Sequence, residues 1–97
     1  MNPKLRQSAR GRECTLRLAG ACNRNPETTV LCHVKTGGMG RKCPDTAAFF
    51  GCSDCHSIYD RADSRWMDYG QDYLAAQALR ALVETHEIWK TEGLLNA

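Results

Sequence analysis

Apolar positions recur at helical spacing near the end of the chain. Leu74, Ala75, Ala78, Leu79, Leu82, Val83, His86 and Trp89 fall on one face, which predicts a helix over residues 71–92 with Gly93 as its stop. Residues 27–34, ETTVLCHV, are rich in β-branched side chains and predict a strand; the apolar run at 47–50 predicts a second strand pairing with it. Gly51 then turns the chain into CSDCH, where Ser53 or Asp54 can cap a short helix running to about residue 61. Residues 23–26 carry turn chemistry, residues 61–68 read as a polar connection, and residues 35–45 form a glycine-rich loop with three cations. Residues 1–12 are polar and basic and are expected to be an arm that orders only on binding. Strands followed by helices, without repeats, give an α+β class.

With 97 residues the chain fits one small domain whose core is marginal, and six cysteines offer a staple. The first residues lack the apolar segment of a secretory signal, and no apolar run approaches the roughly 20 residues that span a bilayer. The expectation is therefore a soluble protein of the reducing cytoplasm with no membrane partner, in which close cysteines bind metal rather than each other. Cys52 and Cys55 have the two-residue spacing that grips one side of a tetrahedral ion. Cys14 and Cys22 are wider apart, with Gly20 to turn between them, and are the best candidates for the other side. A redox C-x-x-C is disfavoured because no thioredoxin-like βαβ pattern surrounds it. Cys32 is ambiguous between core residue and metal ligand, and Cys43 is a bystander thiol in the loop.

Charge adds a polarity to this picture. Residues 1–42 hold nine Lys or Arg against Glu13 and Glu27, while residues 43–97 hold four against nine acids. A basic front half points to a surface facing phosphates; the competing reading is a solvated tail. Three further side chains carry candidate chemistry. His33 closes the first strand, His56 follows Cys55, and Asp60 lies one helical turn after His56, so both share a helix face and can hold one divalent cation. Each has an ordinary alternative: a core histidine, a fourth zinc ligand in place of a cysteine, a surface charge paired with Arg61 or Arg65. His86 reads as packing or surface.

The order strand–His, glycine-rich loop, strand, C-x-x-C-H, helix resembles the HNH, or ββα-metal, nucleases. The stretches SARGRECTLRLAGACNRNPETTVLCHVK, GMGRKCPD and CSDCHSIYDRAD, and the MDYG tail segment, are similar to the YbcO-type nucleases of lambdoid phages and prophages, related to the Rap/NinG recombination nucleases. The resemblance implies a zinc-stapled ββα-metal core over residues 13–63, a basic arm at 1–12 and a C-terminal helical segment at 68–93. It implies that His33 is the general base, that His56 and Asp60 hold a catalytic magnesium or manganese ion, and that Cys14, Cys22, Cys52 and Cys55 bind structural zinc. Where HNH enzymes carry an acid or histidine just before the base, this chain has Cys32, and the central Asn has no clear counterpart; Asp45 is the candidate to orient the His33 ring.

The expected function is a metal-dependent DNA endonuclease of phage or prophage origin, with Arg10, Arg12, Lys35, Arg41 and Lys42 on flanking phosphates and DNA, branched or plain, as partner. The alternative is a zinc-stabilised nucleic-acid-binding module of phage recombination without chemistry. A third reading makes the long helix a docking surface for a partner or a second copy.

Overall fold

The computed structural model describes residues 3–34 and 45–95. Two short strands, β1 (Val30–His33) and β2 (Ala48–Gly51), pair antiparallel with Leu31 opposite Phe50 and His33 opposite Ala48. β1 opens three residues later than β-propensity predicts. Pro26–Thr28 instead forms a 3-10 turn, because Asn25 accepts a hydrogen bond from the Glu27 N–H at 3.1 Å and the Thr28 hydroxyl donates to the Asn25 carbonyl at 2.9 Å. A capped, proline-led turn wins over two β-branched threonines.

All of β2 is buried, and its pleat divides the core. Phe49 points to one side, edge-on to Tyr59 at 5.3 Å, among Cys14, Leu16, Leu18 and Ile58. Phe50 points to the other, edge-on to Trp89 at 5.8 Å, with Leu5 and Ala9. Gly51 is glycine for a steric reason: a Cβ there would sit 2.5 Å from the Cys32 sulfur.

Leu5 and Ala9 belong to the segment expected to be an arm. It forms a helix, α1 (Pro3–Ser8), docked by those two buried residues, and Ser8 accepts a hydrogen bond from the Trp89 indole at 2.8 Å. The expectation of disorder fails because burying two apolar side chains against an aromatic pair outweighs the polarity of the rest.

α2 (Ser53–Tyr59) follows β2 directly. Its cap is Cys52, whose sulfur accepts from the Cys55 N–H; Ser53 and Asp54, the expected caps, are held instead by the Asn23 amide at 3.0 and 2.9 Å. The connection expected at 61–68 contains a short helix, α3 (Trp66–Tyr69), whose Tyr69 hydroxyl donates to the Ala19 carbonyl. Among the described residues, no helix is long and apolar enough to cross a membrane.

The longest element, α4 (Gln71–Thr91), ends at Gly93, which has φ +73°; the Leu94 N–H bonds back to the Trp89 carbonyl at 2.8 Å and the Gly93 N–H to Lys90 at 3.1 Å. Its buried face is Leu74, Ala78, Ala81, Thr85 and Trp89. The face read from periodicity is therefore rotated: Leu79 and Val83 are 62% and 56% exposed. The reason is polar. Thr85 meets the Thr15 hydroxyl at 3.1 Å and the Phe50 N–H at 3.3 Å, closing the free edge of β2, and the helix turns to bring that hydroxyl inward.

Candidate functional site

Four sulfurs converge beside α2. Ligand atoms of Cys14, Cys22, Cys52 and Cys55 all lie within 4.8 Å of one another, and the Cys22 and Cys52 sulfurs are 3.9 Å apart. Zinc–sulfur bonds of about 2.3 Å in a tetrahedron put sulfurs a little under 4 Å apart, so these thiols can hold a metal such as zinc. The segment between Cys14 and Cys22 turns at Gly20, with φ +80°, while the Cys22 N–H bonds the Leu18 carbonyl at 3.0 Å. Three backbone N–H groups aim at sulfur, each at 3.4 Å: Arg17 at Cys14, Leu18 at Cys55, and Cys55 at Cys52. Such donors stabilise thiolates and fix their direction. A hydrogen bond from the Cys55 thiol holds Cys14 down at about 5. Cys22 is pushed up to about 11 by burial. Metal uptake must therefore displace protons, and acid opposes it.

Cys32 stands outside this cluster. It is fully buried in the sheet, its thiol pKa is raised by burial, and its ambiguity resolves to a core residue. Cys43 lies outside the described residues.

A second locus lies beside His56 and Asp60. A cleft of about 490 Å³ is lined by Arg6, Gln7 and Arg10 from α1 and the turn after it, by Thr29, Val30, Leu31 and His33, and by His56 and Asp60 of α2. His56 Nε2 lies 2.7 Å from an Asp60 carboxylate oxygen, and both side chains are more than a third exposed. His33 Nε2 lies 2.8 Å from Asp45 Oδ1, and Arg6 Nε stands 3.6 Å from the other oxygen of that carboxylate. Thr29 also lines the cleft, and its Oγ1 is buried with no hydrogen-bond partner among the described residues, an orphan that an enclosed water would satisfy. At 2.7 Å the His56 ring nitrogen and the Asp60 carboxylate are paired with each other; with Nε2 deprotonated, the same two atoms offer one nitrogen and one oxygen donor to a divalent cation.

Of the remaining predicted residues, Arg10 reaches the cleft. Arg12 does not line it; it pairs with Glu92 and lies over the Phe50 ring at 5.9 Å. Lys35, Arg41 and Lys42 fall outside the described residues. Asp60 pairs with His56 rather than with Arg61 or Arg65; Arg65 binds Asp54 and Asp63 at 3.0 and 2.8 Å, and Arg61 lies over Trp66 at 4.8 Å. His86 contacts the Thr46 carbonyl at 2.5 Å and packs on Trp89. Sequence reasoning missed Arg6 and Thr29. The spacing of Arg6 and Arg10, one helical turn, was the available signal.

The family model described as "Putative nuclease YbcO" matches residues 3–94. The chain belongs to the YbcO family. The protein "Putative nuclease YbcO" of Escherichia coli (strain K12) is 44% identical over 96 residues, covering 96% of this chain and 97% of that protein; a "Putative nuclease ybcO" of Enterobacteria phage 82 matches to the same extent. A solved structure, described as a putative bacteriophage protein from E. coli K-12 MG1655, superposes with a TM-score of 0.76 at 41% identity, over 93% of this chain and all of that one. The YbcO match takes in α1, all four clustered cysteines and the whole cleft, so both loci lie inside the region the family shares.

Proposed function

We propose that the protein is a metal-dependent DNA endonuclease of the HNH type, hydrolysing phosphodiester bonds in the cleft between α1, β1 and α2. The observation that carries this reading is the convergence of His33, His56 and Asp60, with Arg6 and Arg10, on one cleft. The family's description as a nuclease supports the substrate class.

His33 is the general base. Its Nε2–H donates to Asp45, which leaves Nδ1 as the acceptor for a proton from water. Arg6 steadies the Asp45 carboxylate from its far side, and so acts on His33 through Asp45. A divalent cation, magnesium or manganese, held by His56 and Asp60 would supply positive charge to the scissile phosphate and leaving oxygen. Arg10 from the described residues, with Lys35, Arg41 and Lys42 from the loop, binds flanking phosphates without reading sequence, so binding weakens steeply with salt. The four cysteines hold structural zinc, and four thiolates leave that ion no open position for water.

Plasmid nicking with magnesium or manganese tests this. His33→Ala should lower the cleavage rate by about 100-fold or more without lowering the thermal midpoint. Cleavage by His33→Ala at the unmodified rate sinks the mechanism. DNA binding without any metal-dependent nicking would instead identify a zinc-stabilised binding module.

A further inference from the structure

The rotation of α4 leaves apolar surface without a function in the fold. Leu79 and Val83 are its most exposed large apolar residues, and periodicity alone had assigned both to the core. They belong to a longer row. Asp72, Ala76, Leu79, Val83, His86 and Lys90 are separated by alternating steps of four and three, the spacing of a straight seam along a helix. The row spans roughly 27 Å at 1.5 Å per residue.

The row is palindromic in both spacing and chemistry. Reversed and laid against itself, it sets Asp72 of one copy against Lys90 of the other, Ala76 against His86, and Leu79 against Val83. Every large side chain meets a smaller or comparable one, each charge meets its opposite, and the apolar pairs fall at the centre with the ions at the rim. Asp72 in the first turn and Lys90 in the last also suit the helix dipole, but the dipole accounts for neither exposed Leu79 nor exposed Val83.

We propose that this row is a self-association surface: two copies of the chain pair their α4 helices antiparallel about a two-fold axis near Ala81. A two-fold contact uses the same patch on both partners, and a self-complementary row provides that. A single helix pair is a small interface, so the dimer is weak and forms in the micromolar range or above. The proposal stands independently of the nuclease reading.

Sedimentation equilibrium of the zinc-loaded full chain, from about 10 to about 500 µM, tests it. The unmodified protein should dimerise reversibly, and Leu79→Glu should raise the dissociation constant at least about tenfold. Asp72→Lys alone and Lys90→Asp alone should each be monomeric, since each sets like charges opposite one another twice. Mixed in equal amounts, the two variants should form a one-to-one dimer, because each then supplies what the other lacks. Circular dichroism of each variant confirms that α4 is intact. A monomer at about 500 µM overturns the proposal and leaves the row to another partner; so does Leu79→Glu dimerising like the unmodified chain, or failure of the mixture to restore the dimer.

Discussion

α2 opens on Cys52 and Cys55 and closes on His56 and Asp60, so one short helix serves two donor sets with opposite relations to water. The cysteine set is the more enclosed: Cys14, Cys52 and Cys55 are buried and Cys22 is half-buried, and backbone N–H groups from two segments fix the sulfurs. The His56–Asp60 pair is more than a third exposed and faces a cleft with room for a ligand. Residue type alone does not separate a staple from a reaction site. Closure of the coordination sphere does, and here the Cys14–Cys22 turn brings the two sulfurs that complete the set begun by Cys52 and Cys55.

The comparison predicts unequal losses. The largest comes from chelation. Stripping metal from the four thiols should remove on the order of 10 kcal/mol, comparable to the whole stability of a small domain. The chain should lose helical circular dichroism on treatment with a strong zinc chelator, more readily as pH falls. An unchanged spectrum would show that the cysteine cluster is not a staple.

A smaller effect is expected at the cleft. Arg6→Ala removes the cation beside Asp45 and should slow metal-dependent cleavage about two- to fivefold, the scale of one exposed ion pair, with the thermal midpoint little changed. A loss of stability rather than rate would make Arg6 a fold residue only.

The smallest concerns the clamp between the cysteine turn and α4. Glu84 accepts two hydrogen bonds of 2.8 Å from Arg17 and one from Arg80. Burial raises the Glu84 pKa, but the two guanidinium groups outweigh it and leave the carboxyl below its usual range. A lowered native pKa means the stabilisation is fully present above the unfolded carboxylate pKa and is lost as pH falls through the native one. Glu84→Gln should therefore cost about 0.5–1 kcal/mol at neutral pH. The deficit should close on acidification, as thermal melts across pH would show.

The staple was more legible than its setting. The two cysteine pairs, both strands and the limits of α4 could be read because spacing and periodicity are local. α1 could not: among six mostly polar residues only Leu5 is an apolar anchor, and its partners Phe50 and Trp89 lie far along the chain. The register of α4 depends on Thr85 meeting Thr15, a long-range hydrogen bond that hydrophobic periodicity does not encode. Arg6 was hidden for the same reason as α1, since its role follows from a helix that exists only through tertiary contacts. Asp45, by contrast, was picked out as a partner for His33, and the structure sets the two 2.8 Å apart.

The central claim is that α2 contributes residues to two separate loci, a four-cysteine zinc site and a more open site for a second cation. Manganese binding to the zinc-loaded protein, followed by electron paramagnetic resonance, tests it most directly. The account predicts one manganese per chain in the unmodified protein, loss of that site in Asp60→Ala and His56→Ala, and one zinc per chain retained in all three. Manganese binding that survives both substitutions, or zinc lost with His56, would contradict it.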